Sequence, residues 1–199
     1  MTGTRRDMSS LAQKEDPPIG PIGDPSAESV LVPVSIVKTP GNCTPEEREA
    51  FRRLLLKGGE VIPRGLASRI ERAHQLSFVY MGTSLAATGA VKAPDPDYRA
   101  DAFHDAATKA DPKTYPVELG WVYVDDAYRG RKLSRSVVNA LLPFFGTHSC
   151  YATSKVPRIW MHSTLKRFGF AQSGKPFASK LANENLLLFL REGQTDGEK

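Results

Sequence analysis

The stretch Glu118-Leu119-Gly120-Trp121-Val122-Tyr123-Val124, then Asp125-Asp126-Ala127-Tyr128, then Arg129-Gly130-Arg131-Lys132-Leu133-Ser134, decides how the rest of the chain is read. Residues 117 to 124 are mostly β-branched or aromatic and lack proline, which predicts a buried strand. Beyond Gly130 the period lengthens. Leu133, Val137, Val138, Leu141, Leu142 and Phe145 recur at spacings that put them on one apolar helix face, which Pro143 and Gly146 bring to an end. A strand therefore runs through a short basic turn into a helix N-terminus. The first N–H groups of a helix lack intrahelical partners, and the dipole adds about half a positive charge there. Such a terminus binds anions. Arg129, Arg131, Lys132 and Arg135 add charge at the same point and Ser134 adds a hydroxyl, so a phosphate is the expected ligand. A solvated basic turn is the plainer alternative.

With 199 residues the chain suits one domain and is long enough to bury a sizeable core. No apolar run approaches the roughly 20 residues of a membrane helix, and residues 1 to 14 are polar where a secretory signal would be apolar. Two cysteines, Cys43 and Cys150, make neither a disulfide framework nor a metal spacing. These features predict a soluble cytoplasmic protein, monomeric or a homodimer, with no membrane partner. The four histidines, His74, His104, His148 and His162, show no ligand spacing, so no metal is expected. Net charge is +5, unevenly spread. From Arg129 to Asn183 there are ten Lys or Arg and no Asp or Glu, while the remainder, with 27 less those ten, holds 17 basic against 22 acidic residues. One half of the protein faces something anionic, a polyphosphate cofactor or a nucleic acid.

Residues 1 to 28 mix Arg, Ser, Asp, Gly and Pro without apolar period and read as a disordered leader. Val30 to Val37 reads as a strand, with Pro33 suggesting an edge position. Thr44-Pro45-Glu46-Glu47 is a helix start with a capping box, and Gly58-Gly59 its stop. Phe51, Leu54 and Leu55 of that helix point to the core, and Arg48, Arg52 and Arg53 to water or substrate. A second helical segment covers 66 to 73. Gln75 to Tyr80 and Ser84 to Val91 form a hairpin about Met81-Gly82. Lys92 to Tyr115 is long for a connection and reads as a substrate-side lid or short helix. After the central strand and helix come a strand at Ser149 to Thr153, a helix over Ile159 to Arg167, and a terminal hairpin, Phe170 to Leu181 with Leu186 to Arg191, turning at Ala182-Asn183-Glu184-Asn185. Residues 193 to 199 are expected to fray.

This order, with its phosphate turn after the fourth strand, resembles the GNAT superfamily of N-acyltransferases over roughly residues 29 to 192. The resemblance implies a mixed α/β fold, a central sheet of about seven strands flanked by about four helices. The family writes its acyl-CoA pyrophosphate loop as Gln or Arg, two residues, Gly, one residue, then Gly or Ala. Arg129 takes the first position here, while Lys132 and Ser134 stand at the two glycine positions. In many members a glutamate on the fourth strand, eleven residues before the loop's first residue, is the general base, and Glu118 has that offset from Arg129. Cys150-Tyr151-Ala152-Thr153 resembles the fifth strand, which splays from the fourth to admit the pantetheine arm. Leu165 to Phe170 resembles the segment ending in Gly-Phe before the last hairpin. The tyrosine general acid of many members is replaced by Leu165.

The resemblance thus implies an acyl-CoA-dependent N-acetyltransferase. It places acetyl-CoA along Val122, Tyr123 and Val124 and in the loop of Arg129, Gly130, Arg131, Lys132, Leu133, Ser134 and Arg135, with Arg158 nearby. Glu118, among the apolar residues Leu119, Trp121 and Val122, would take a proton from an amine acceptor directly or through water. Tyr123, Tyr128 and Tyr151 are the substitutes for the missing acid, Tyr151 being the one carried forward, although each also has a simpler role as a half-buried aromatic. The acceptor is a small amine, a peptide amine or an aminoacyl group. A nucleic-acid-binding or nucleic-acid-modifying protein that tracks phosphates with its basic half is the alternative. A thiol mechanism at Cys150 is disfavoured, because a cysteine in an apolar strand is usually a small packed residue.

Overall fold

The computed structural model describes residues 31–145, 148–180 and 183–193. The expected leader, the tail beyond Gly193, Gly146 and the turn residue Ala182 lie outside the described residues. The elements run β1 (Pro33–Lys38), α1 (Pro45–Gly58), α2 (Leu66–Glu71), β2 (Gln75–Met81), β3 (Ser84–Lys92), α3 (Pro96–Asp105), β4 (Val117–Val124), α4 (Leu133–Leu141), β5 (Cys150–Lys155), α5 (Ile159–Arg167), β6 (Ala171–Ala178) and β7 (Asn185–Arg191). They form one seven-stranded mixed sheet in the order β1-β2-β3-β4-β5-β7-β6, with β4 and β5 the parallel pair and the other neighbours antiparallel. Pro33 begins β1, which is an edge strand as expected. No helix among the described residues is long and apolar enough to cross a membrane.

Local chemistry sets these boundaries. The Thr44 hydroxyl accepts from the Glu47 N–H and the Glu47 carboxylate accepts from the Thr44 N–H, closing the capping box, while Gly59 ends α1 in the left-handed region. Arg48 corrects one expectation. Its guanidinium donates to the carbonyls of Pro40 and Cys43 and so braces the turn before α1 instead of facing substrate. There are five α-helices rather than about four. The extra one is α3, inside the segment read as a lid, where the Asp95 carboxylate caps the N–H groups of Asp97 and Tyr98 and Pro96 starts the helix.

Helices cover both faces of the sheet. Leu133, Val137, Val138 and Leu141 of α4 and Leu165 of α5 pack with Val79, Ala87, Leu119 and Phe189 on one face. On the other, Phe51 and Leu55 of α1 with Leu66 and Ile70 of α2 cover Leu76, Phe78 and Ala90, and Phe103 of α3 covers Tyr151 and Leu188. The α4 side needs a small residue on β3. A Cβ on Gly89 would lie 2.3 Å from Cγ1 of Val137, so the helix that begins at the phosphate loop rests directly on that backbone. Gly89→Ala should therefore push α4 off the sheet and destabilise the fold by about 1 to 3 kcal/mol, the usual range for overpacking. Chemical denaturation checks this, and an unchanged midpoint would show that α4 is not seated there.

Candidate active site

β4 carries the site because it is irregular in the middle. Val117 and Leu119 point to the α4 face, but so do Val122 and Val124, which have the opposite parity. The change occurs where two residues of β3, between Thr88 and Ala90, face three of β4, between Tyr123 and Gly120. This is a β-bulge, and Trp121 in it adopts φ 55, a left-handed conformation costly for a residue with a Cβ. The bulge turns Trp121 and Tyr123 to the face that also holds Glu118 and Tyr151.

The parallel contact of β4 with β5 is short. Val117 pairs with Cys150 and Glu118 with Tyr151, and beyond those two positions β4 and β5 share no register. Backbone groups of residues 119 to 124 on that side are consequently left to something other than a strand. This is the parting expected for the pantetheine arm. Lys57, near the end of α1, pairs with Asp125 just beyond β4 at 2.8 Å, and Glu60 in the following loop pairs with Lys155 and Arg158 at the far end of β5. The α1–α2 connection thus bridges the open side.

Glu118 and Tyr151 meet at the last shared position. Glu118 is 3% exposed and Tyr151 fully buried. The Tyr151 hydroxyl donates to Oε2 of Glu118 at 3.3 Å, and Lys92 Nζ donates to the same oxygen at 2.6 Å. Lys92 lies 5.3 Å from the Trp121 ring and 5.8 Å from that of Tyr98. Burial raises the Tyr151 pKa, and the Glu118 charge raises it further; the same charge is the main cause that lifts Tyr98. Both phenols are held protonated. Leu119 and Val122 face α4, so of the three apolar residues expected around Glu118 only Trp121 is on its side. Lys92 and Tyr98 were missed by sequence reasoning. Their only signal was membership of the polar segment after β3, since the register that sets Lys92 opposite Glu118 is a tertiary fact.

The remaining candidates are placed as follows. The Tyr123 hydroxyl donates to Asp126 at 3.4 Å and its ring lies under Gly58, while Tyr128 packs on the α4 side. Neither is at Glu118. Leu165 is buried in the core, so the usual acid position offers no proton. Cys150 is fully buried and its thiol is pushed up to about 12, chiefly by burial, which leaves it unreactive at neutral pH.

In the basic loop, Gly130 has φ 80 and Lys132 φ 59, both left-handed, and Lys132 is the N-cap of α4 with no side-chain cap bond. The loop backbone and the helix start therefore form an anion cradle as the turn predicted. Leu133 is buried, so it can offer the cradle only its N–H. Arg129 is engaged with Asp126 at 2.6 Å, an exposed pair, and Arg158 with Glu60 and the Trp160 ring instead of the loop. Arg131, Lys132 and Arg135 carry no ion pair among the described residues. Of the ten cations between Arg129 and Asn183, Arg129, Lys155, Arg158 and Lys180 are paired with acids from elsewhere in the chain. That pairing concentrates the free charge at the loop and weakens a continuous nucleic-acid track.

No family model and no curated protein matches this sequence. Solved structures do. A GNAT-family acetyltransferase from Streptococcus agalactiae aligns with TM-score 0.60 at 13% identity, over 81% of this chain and 96% of that one. The ribosomal-protein-S18-alanine N-acetyltransferase from Escherichia coli gives 0.59 at 11% identity, over 83% and 97%. An acyl-CoA N-acyltransferase from Pseudomonas aeruginosa gives 0.56 at 14% identity, over 80% and 99%. This chain has the GNAT fold. At such identities the likeness speaks for architecture alone, and the GNAT fold here is built with a lysine where the family's loop pattern has glycine. A left-handed residue with a Cβ costs about 1 to 2 kcal/mol, of which glycine's extra unfolded-state freedom takes back roughly half. Lys132→Gly should accordingly be more stable than Lys132→Ala, by about 0.5 to 1 kcal/mol, in equilibrium unfolding. The reverse order would mean that the left-handed cap is not strained.

Proposed function

We propose that the protein is an acyl-CoA-dependent N-acyltransferase, most simply one that moves acetyl from acetyl-CoA to a primary amine. The observation that carries this reading is the continuity of β4. One strand holds a buried carboxylate, parts from β5 immediately after it, and ends in a left-handed basic loop that opens α4. An acyl thioester with a diphosphate at its far end has the shape to use all three features. The cradle of residues 129 to 135 takes the diphosphate through N–H groups and the unpaired Arg131, Lys132 and Arg135. The backbone of Val122, Tyr123 and Val124, which β5 leaves unpaired, holds the pantetheine arm, and N–H groups at the bulge polarise the thioester carbonyl.

Glu118 is the base in this reading. Because its carboxylate is covered by Lys92 and Tyr151, the acceptor's proton reaches it through Lys92 or a water rather than by direct contact. Tyr151 holds that carboxylate in place. Tyr98, protonated and lying beside the parted strand at Thr153, is the nearest donor to the departing thiolate. The bridge from Glu60 to Lys155 and Arg158 walls the acceptor side.

Two measurements test the reading. Arg129→Ala with Arg131→Ala should weaken acetyl-CoA binding in calorimetry by about 1 to 3 kcal/mol for each charged hydrogen bond lost, with Arg131 the larger contributor because Asp126 already occupies Arg129. Unchanged binding in the double variant would put the diphosphate elsewhere. Glu118→Gln keeps the side-chain shape and should lower turnover about a hundred- to ten-thousandfold with little change in acetyl-CoA affinity. The residual rate should climb with pH as free amine accumulates. Equal turnover of the two proteins across a pH series would remove Glu118 from the mechanism.

A further inference from the structure

Lys92 ends β3 in register with Glu118, and its side chain runs across Gly120 to reach it. A Cβ on Gly120 would lie 2.6 Å from Lys92 Cδ and 3.3 Å from its Nζ, so any side chain there would obstruct this path. The ammonium ends 2.6 Å from Glu118 Oε2, with the faces of Trp121 and Tyr98 on either side at 5.3 and 5.8 Å. A carboxylate with two aromatic rings is a built site for an alkylammonium group. The chain's own lysine fills it, next to the bulge where β4 leaves β5.

From this placement we infer that Lys92 is itself an acyl acceptor, modified on Nζ by bound acyl-CoA. The inference rests on the acyltransferase reading and adds to it a modification site. Glu118 takes one proton from the Lys92 ammonium, and the freed lone pair attacks the thioester carbonyl. The C–N bond forms as the C–S bond breaks, the second nitrogen proton goes to the departing thiolate, and the products are an amide at Lys92 and free CoA thiol. Glu118 then releases its proton to solvent. The amide is neutral, so the ion pair is gone and the Glu118 carboxylate is available to an external amine. Lys92 thereby governs whether the base is engaged.

The test uses the full chain incubated with acetyl-CoA and no other acceptor, followed by intact mass and peptide mapping. Uncatalysed acetylation follows exposure and favours Lys57 and Lys180, whose side chains are 56% and 61% exposed against 17% for Lys92. The expected result is one acetyl group per chain, placed at Lys92 ahead of those lysines. In Glu118→Gln acetylation at Lys92 should slow by about a hundredfold or more while that at Lys57 and Lys180 is unchanged. Lys92→Arg, which keeps the charge beside Glu118, should lose the fast acetyl group. Acetylation that tracks exposure and spares Lys92 while calorimetry shows acetyl-CoA bound would overturn this inference alone. Absence of acetyl-CoA binding would overturn it together with the reading on which it rests.

Discussion

Parallel pairing between β4 and β5 lasts for two residues, and the rest of the site depends on its brevity. A parallel ladder satisfies backbone groups at even intervals, so two strands of eight and six residues would ordinarily continue it. Here the extra residue at Trp121 turns β4 away, and the unpaired edge that results has to be supported from elsewhere. Support comes from α4 packed on Gly89 below and from the Lys57–Asp125 and Glu60–Lys155–Arg158 pairs above. A channel between strands is stable only because both of its walls are anchored to different helices. That arrangement leaves polar backbone available for a ligand without exposing an apolar core.

The ion pair at the head of the channel has a different physics from those on the surface. Exposed pairs such as Arg129–Asp126 contribute little, because water screens them and long side chains lose freedom to form them. Lys92–Glu118 is largely withdrawn from water, and desolvation then opposes the attraction between the charges. Two aromatic faces around the ammonium and the Tyr151 hydroxyl on the carboxylate offset that cost. Such a pair costs more than it contributes unless a function uses it, which is why its position at the parting of the strands carries weight.

Phosphate recognition depends less on the arginines than the sequence suggests. Arg129 opens the loop yet spends its charge on Asp126, and Arg158 lies against Glu60. The backbone supplies what remains, through Gly130 and Lys132 in left-handed conformations and an α4 terminus with no side-chain cap. Lys132 sacrifices conformational ease for a positive charge at the point where the family's pattern has glycine.

Local chemistry made much of this legible from the chain alone. The change of period after Gly130, the Thr44–Glu47 capping box, the stop at Gly59 and the turn between β2 and β3 each involve residues a few positions apart, and each is where it was expected. The offset of Glu118 from the basic loop was legible for the same reason, since one strand and one turn fix it. What the sequence could not decide is how separate segments meet. A single bulge reverses the facing of every residue after it, so Leu119 and Val122, read as neighbours of Glu118, face α4 instead, while Lys92 and Tyr98, from the segment read as a lid, supply its real surroundings. The α3 helix shows the same limit, because its Asp-Pro start was visible but its partner Tyr151 lies far along the chain. Register and bulge position are settled by competition among long-range packing contacts, and those exist only once the sheet is assembled.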